Sequence, residues 1–395
     1  MESGSLKISF QNPAVRSANE KRKFSFAITR RDFIRKTGML GGSLLSGEVW
    51  RTRDFAYEPV EARYYRKLDG ERVQCLLCPH ECVVASGRRG HCQVRENRDG
   101  TYFSLIYGRI AAFHNDPIEK KPLYHFMPGS LAFSLATAGC NVNCKFCQNW
   151  ELAQRRPEDL PFVLYRPEEV SIRALEWRSS SIAFTYNEPT VYTEFIVEAA
   201  AEARSRGVKT VLISNGYINE KPLGDLCEVV DAYKIDLKAF TESYYREVVN
   251  GRLSSVLDTL IRLRERKIWT EIVYLIVPTL NDDPKSLEQM ATWIRNNLGD
   301  DVPLHFSRFY PKYKLKNLPP TPITALEKAR NLCLDAGLHY VYIGNVPGHE
   351  GENTYCPQCH KMLIQRLGYR IIKNHIQNGR CLHCGNEIAG VWQSF

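Results

Sequence analysis

A chain of 395 residues with 44% hydrophobic and 25% charged residues can bury a large core and has ordinary globular composition. No apolar run reaches the length of a membrane span. The formal charge of +9 is concentrated at one end: residues 1–53 hold eleven Lys/Arg against four Asp/Glu, and the rest hold 42 against 40. The body therefore offers no electrostatic footprint for nucleic acid.

The segment 1–56 is predicted to be a disordered basic tail. Within it, Thr29-Arg30-Arg31-Asp32-Phe33-Ile34-Arg35 precedes the glycine-rich apolar run Gly38 to Leu45 and resembles a twin-arginine export motif. The apolar run is short, Glu48 ends it, and no A-x-A site follows.

Residues 57–130 read as a Cys-rich module with lead-in strands. Cys75, Cys78, Cys82 and Cys92 place four thiols within 18 residues. Their spacing matches no ferredoxin run, and two readings stand: a zinc-stabilised module or an auxiliary iron–sulfur cluster. Tyr102 to Phe113 has strand character, and Pro117 and Pro122 are expected to break the path ahead of the next domain.

From residue 131 to 345, strand and helix patterns alternate. β-rich runs occur at Leu131–Thr137, Ile182–Tyr186, Lys209–Ile213, Ala232–Leu237, Glu271–Val277, Pro303–Phe309 and Tyr340–Ile343. The clearest helix, Thr190 to Arg206, starts after Pro189, repeats Val191, Phe195, Ala199 and Ala203 on one face, and stops at Gly207. Alternation implies an α/β fold with a parallel sheet wrapped by helices. At roughly 30 residues per unit, the segment suits a partial (β/α)6 barrel with a closing strand rather than eight units.

In such barrels chemistry collects at the C-terminal strand ends. After the first strand comes Cys140-Asn-Val-Asn-Cys144-Lys-Phe146-Cys147. Three thiolates this close can hold an iron–sulfur cube while leaving one iron open; a zinc site completed by a remote His is the alternative. After the second strand, Asn187-Glu188-Pro189 offers a carboxylate for an ammonium group, or simply a turn into the helix. After the third stand Ser214 and Asn215. On the fourth, period-two alternation puts Asp236 and Lys238 on one face, as site residues or as a structural ion pair. His305, Arg308 and Asn345 are further candidates to line the cavity. No side chain is assigned as catalytic.

Residues 346–395 carry Cys356-x2-Cys359 and Cys381-x2-Cys384, separated by 21 residues. This is zinc-ribbon-like spacing, with a rubredoxin-like iron site or a docking ribbon as alternatives. Cys227 and Cys333 stand alone and read as small buried apolar residues.

The cysteine loop with Phe146 is the fingerprint of the radical SAM family. From about residue 60 onward the chain resembles the radical SAM proteins of the AmmeMemoRadiSam system, a branch of the pyruvate formate-lyase activating enzyme-like proteins. The likeness is carried by Cys75 to His80, Asp116 to Leu123, Gly139 to Asn149, Thr185 to Pro189, Ile276 to Asp282, Pro303 to Phe306 and the last cysteine pairs. It implies a [4Fe–4S] cluster on Cys140, Cys144 and Cys147, with S-adenosylmethionine chelated at the open iron. Glu188 would hold the methionine ammonium, although Tyr186-Asn187 replaces the two glycines usual there. Ser214 and Asn215 would reach the ribose or methionine end, and Asp236 and Lys238 would contact the cofactor as an Asp-x-Lys element.

The implied reaction is reductive cleavage of S-adenosylmethionine to a 5′-deoxyadenosyl radical that abstracts hydrogen from an unidentified substrate. It calls for a low-potential donor of the ferredoxin or flavodoxin type. Memo-like and AMMECR-like proteins are the implied partners. Reductant and S-adenosylmethionine are cytoplasmic supplies, so the cytoplasm is the expected location, against twin-arginine export. Two other functions are weighed. One is a glycyl-radical enzyme activase, disfavoured by the missing glycines and the outer cysteine modules. The other is a non-enzymatic iron–sulfur carrier or zinc-ribbon adaptor.

Overall fold

The computed structural model describes residues 58–392; the basic tail with its twin-arginine-like segment lies outside the described residues. The apolar runs build one eight-stranded sheet: β1 (Ala112–Pro117), β2 (Leu131–Ala136), β3 (Ser181–Phe184), β4 (Lys209–Ser214), β5 (Ala232–Asp236), β6 (Trp269–Ile276), β7 (Leu304–Arg308) and β8 (Val341–Gly344). The strands lie in chain order, with β2 to β8 mutually parallel. Helices α1 (Pro167–Glu176), α2 (Thr193–Ser205), α3 (Glu220–Cys227), α4 (Leu253–Glu265), α5 (Pro284–Asn297) and α6 (Ile323–Asp335) connect successive parallel strands. Six β/α units and a closing strand form the partial barrel that strand–helix alternation implies. Strand β3 is buried at every position, as a parallel strand covered on both faces should be.

The edge of the sheet departs from expectation. Pro117 does not interrupt the path; it ends β1, which pairs antiparallel with β2 from Ala112 opposite Ala136 to Pro117 opposite Leu131. Proline is tolerated there because an edge strand has one unpaired side.

Helix α2 shows why its sequence pattern works. Pro189–Tyr192 forms a 3-10 turn that leads into it, Val191, Phe195, Ala199 and Ala203 are fully buried, and Gly207 takes φ +73° just past its end. Cys227 and Cys333 are buried as expected.

Ahead of the barrel, two small antiparallel sheets carry the first cysteine group, one of Tyr65–Leu68, Arg72–Cys75 and Val83–Val84, the other of Val60–Glu61, Thr101–Ser104 and Arg95–Arg98. Arg95 is fully buried and grips Glu194 of α2 through Nη1 at 2.8 Å and Nη2 at 2.5 Å.

After the barrel, Thr354–Tyr355, Met362–Leu367 and Arg370–Asn374 form a third small sheet. It packs against Tyr124, Tyr340 and Tyr342. Arg366 is buried, lies 4.1 Å over the Tyr124 ring, and donates to Thr354 Oγ1 at 2.8 Å and the Tyr124 carbonyl at 2.9 Å. The chain is clasped here: Met127 N–H donates to the Val391 carbonyl and Val391 N–H to the His125 carbonyl, each at 2.7 Å. Among the described residues no helix is long and apolar enough to cross a membrane.

Candidate active site at the C-terminal strand ends

The loop after β2 holds Cys140, Cys144 and Cys147 in place by main-chain bonds that need no metal. Asn143 N–H and Lys145 N–H donate to the carbonyls of Val249 and Val248 at 2.9 and 3.0 Å, on the turn Tyr245–Val249. Asn187, after β3, straps the start of the loop: its Oδ1 accepts from Thr137 N–H at 3.2 Å, and its Nδ2 donates to Thr137 Oγ1 at 3.0 Å and the Gly139 carbonyl at 2.9 Å. Phe146 is buried, with its ring centroid 6.2 Å from that of Tyr244.

These residues open into a cavity of about 300 Å3. Cys140, Cys144, Phe146, Cys147, Asn187, Glu188, Asn215, Asp236 and Lys238 all line it, together with Asn345 and the apolar wall Ile213, Val273 and Leu275. Ser214 stands behind the lining and donates to Glu188 Oε1 at 2.7 Å. A larger cavity of about 630 Å3 lies between α6, the start of β8 and the C-terminal sheet; it has Cys356 on its wall but none of the loop cysteines. We assign the smaller cavity because it alone gathers the three thiols, the strand ends and the charged groups.

Glu188 is more tightly committed than its sequence context suggests. Oε1 accepts from Thr190 N–H at 3.0 Å, Thr190 Oγ1 at 2.8 Å and Ser214 Oγ, and Oε2 accepts from Asn215 N–H at 2.8 Å. Burial pushes its pKa up against these four bonds. The carboxylate thus fixes the Ser214–Asn215 turn, and Asn215 Nδ2 donates to Asn141 Oδ1 inside the cysteine loop at 2.9 Å. In Glu188→Gln the amide nitrogen would face the Asn215 N–H, donor against donor, at a cost of about 1–3 kcal/mol. Urea unfolding should register that loss; an unchanged midpoint would remove Glu188 from this positioning role.

On β5 the expected pair is a triad. Asp236 Oδ2 accepts from Lys238 Nζ at 2.8 Å, and Oδ1 takes Lys234 Nζ. Burial opposes the charge of Asp236, but the two ammonium groups outweigh it and hold the carboxyl at about 2. Lys234 was missed, although period two carries it to the face of residues 236 and 238. A second cluster was also missed. Asp116, at the end of β1, accepts from Lys120 Nζ at 2.8 Å, Lys121 Nζ at 2.5 Å and the Tyr186 hydroxyl, and Lys120 and Tyr186 line the cavity. Tyr186 has φ +67°, a conformation that suits glycine. The replaced glycine of this segment therefore survives in the backbone, held by the Asp116 contact and by Asn149 Nδ2 donating to the Tyr186 carbonyl at 2.9 Å.

Besides Ser214, two candidates fall outside the cavity lining. His305 sits near the start of β7, with Nε2 2.8 Å from Glu271 Oε2, and belongs to the buried floor beside Tyr124. Arg308 turns away, its Nε donating to the Thr321 carbonyl at 2.8 Å.

The thiols are of two kinds. Cys356, Cys359, Cys381 and Cys384 have all four sulfurs within 4.8 Å of one another, with Cys356–Cys384 at 3.6 Å and Cys359–Cys381 at 3.8 Å. A tetrahedral ion with metal–sulfur bonds of about 2.3 Å has edges of about 3.8 Å, so these residues fit one metal ion. The loop cysteines 140, 144 and 147 do not gather that closely. Three thiols of one loop, set wider than a single ion requires and facing a cavity, fit a polynuclear cluster with an open position. Burial pushes the Cys144 thiol up to about 12, with Lys238 opposing.

A family described as the radical SAM superfamily matches residues 134–293, which contain the loop and strands β3 to β6. This chain carries a radical SAM domain. An uncharacterized protein of Methanocaldococcus jannaschii is 46% identical over 330 residues, covering 83% of this chain and 98% of that protein. This radical SAM protein is also 25% identical over 184 residues to a pyruvate formate-lyase-activating enzyme of Listeria monocytogenes, covering 42% of this chain and 71% of that one. A radical SAM methyltransferase structure from Sphaerobacter thermophilus aligns with TM-score 0.45 and 13% identity over 74% of this chain and 80% of that one.

Proposed function

We propose that this protein is an enzyme that cleaves S-adenosylmethionine reductively and uses the resulting radical to take hydrogen from a substrate bound in the 300 Å3 cavity. The observation that carries the reading is convergence: three loop thiols and the Lys234–Asp236–Lys238 triad line the same cavity at the C-terminal strand ends. When bound, a [4Fe–4S] cluster and S-adenosylmethionine supply the one-electron cleavage that gives a 5′-deoxyadenosyl radical.

The chain's own residues do the rest. Cys140, Cys144 and Cys147 hold the cluster. Asn187 and Asn215 fix the loop that carries them, and Glu188 fixes Asn215. Asp236 and Lys238 present one negative and one positive group to a cofactor that carries both charges, and Phe146 closes the loop's inner side. Ile213, Val273 and Leu275 make one wall of the cavity apolar and would keep water from the substrate and cofactor bound there. The C-terminal four cysteines hold a structural zinc ion.

The finer placement, in the AmmeMemoRadiSam system with Memo-like and AMMECR-like partners, rests on the sequence resemblance alone, one segment of which, Asp116–Leu123, puts Lys120 and Pro122 in the cavity lining. A second reading, glycyl-radical activation, has the Listeria activating enzyme behind it over 42% of the chain. A radical arising on a backbone glycine of a partner enzyme after mixing would select it. For the main proposal, anaerobically reconstituted protein given S-adenosylmethionine and dithionite should release 5′-deoxyadenosine. No release from protein with its iron fully loaded would overturn it.

A further inference from the structure

The reaction above leaves Cys75, Cys78, Cys82 and Cys92 without a task. We propose that these four thiolates carry a second iron–sulfur cluster, which relays electrons from the surface to the Cys140–Cys147 site. Where the electrons go rests on the function proposed above; the existence of the site does not.

The molecule contains its own reference for sulfur spacing. The C-terminal four cysteines close to single-ion distances, whereas among the described residues no three ligand atoms of the N-terminal group, His80 and His91 included, gather within 4.8 Å. Four thiols of one module, wider apart than one zinc ion holds them, suit a polynuclear centre with four cysteine ligands.

The surroundings also lack a partner. The Tyr102 hydroxyl and Arg95 Nε are fully buried with no hydrogen-bond acceptor. A Cβ placed on Gly90 would lie 2.5 Å from that hydroxyl and 3.8 Å from Cys82 Sγ, so the missing side chain keeps one small space open to the donor and the sulfur. The His91 N–H already donates to Cys82 Sγ at 3.4 Å. Buried donors beside sulfur are the kind of group that tunes an anionic thiolate-held cluster by hydrogen bonding.

The position suits a relay. Gly139 precedes Cys140 and has φ +88°, and a Cβ there would meet the Cys92 carbonyl at 2.9 Å and Val94 Cγ1 at 2.4 Å. The main chain of one cysteine group therefore touches the residue next to the other. Cys82 is half-buried and its neighbour Val83 is 55% exposed, which leaves a face for a donor. One electron enters the oxidised cluster from a ferredoxin- or flavodoxin-type protein and leaves to the Cys140–Cys147 centre; no bond or proton changes hands.

The test uses the full chain, purified anaerobically and assayed for iron, acid-labile sulfide and zinc. With Cys140, Cys144 and Cys147 all changed to alanine, the N-terminal module is untouched, and iron should fall to about half of the wild-type content rather than to zero. That variant carrying no iron and about two zinc ions per chain would overturn the proposal. In Cys75→Ser/Cys78→Ser, cleavage of S-adenosylmethionine driven by reduced flavodoxin should fall at least about tenfold relative to cleavage driven by dithionite. An unchanged ratio would overturn the relay. Wild-type protein that holds the iron of both clusters yet cleaves with neither reductant would sink the function proposed above and leave the second site standing.

Discussion

Cys144→Ala should abolish 5′-deoxyadenosine release, by more than the roughly 100-fold that follows loss of a group supporting metal ligands. The loop around Cys144 is held by its bonds to Val248 and Val249, by the Asn187 strap and by Asn141 Nδ2 donating to the Tyr217 carbonyl at 2.6 Å. None of these involves the sulfur, so alanine removes a ligand while leaving the loop in place. Circular dichroism should therefore match wild type, and iron content should fall. Cys333→Ala, at a buried position with no place in the cavity, is the control that keeps both activity and iron. A Cys144→Ala protein with full iron content and undiminished cleavage would refute the ligand assignment.

The largest effect on stability is expected at Glu194. Its carboxylate, 1% exposed, takes both terminal nitrogens of Arg95 and the Arg63 N–H at 3.0 Å. Glu194→Ala leaves a guanidinium in the interior without its counter-charge, a change that costs about 3–5 kcal/mol. Against a typical total of about 5–15 kcal/mol, urea unfolding should show a large drop in midpoint. The double variant Arg95→Met/Glu194→Leu should recover most of the loss, because a buried ion pair replaced by apolar groups is close to neutral. A single-variant loss under about 1 kcal/mol would put the pair in the class of exposed salt bridges.

Much of this arrangement could be read from local pattern. The barrel strands were legible because parallel strands buried on both faces are short continuous apolar runs, and Ile182, Ala183 and Phe184 are all fully buried. The cysteine loop was legible because its ligands lie within eight residues of chain. Asp236 and Lys238 followed from period two, and Lys234 would have followed had the same count been carried one step back.

What local pattern could not supply is contact between distant segments. Asp116 meets Tyr186 across 70 residues, so its place at the cavity depends on β1 joining the sheet. His305 faces the interior as alternation requires, yet whether it meets the cavity or the floor depends on its height along β7. Glu271 and the main chain of Tyr124 and His125 settle that height. For Glu188, sequence shows a carboxylate at a strand end, but not the four donors that gather on it from Thr190 and the Ser214–Asn215 turn.

The clasp between residues 125–127 and Val391 carries a consequence for how the chain reaches its native state. His125 Nδ1 lies 2.6 Å from the Ala389 carbonyl, across a separation of 264 residues. Joining ends so far apart costs about 5 kcal/mol of loop-closure entropy in a flexible chain, but little once the intervening barrel has folded and brought them together. The clasp and the Arg366 contact beside it are thus late events, and contacts of such long range slow folding. Ribosome-bound chains that stop short of the last segment would hold an assembled sheet with its floor still ajar, and metal captured by the final four cysteines would mark completion of the fold.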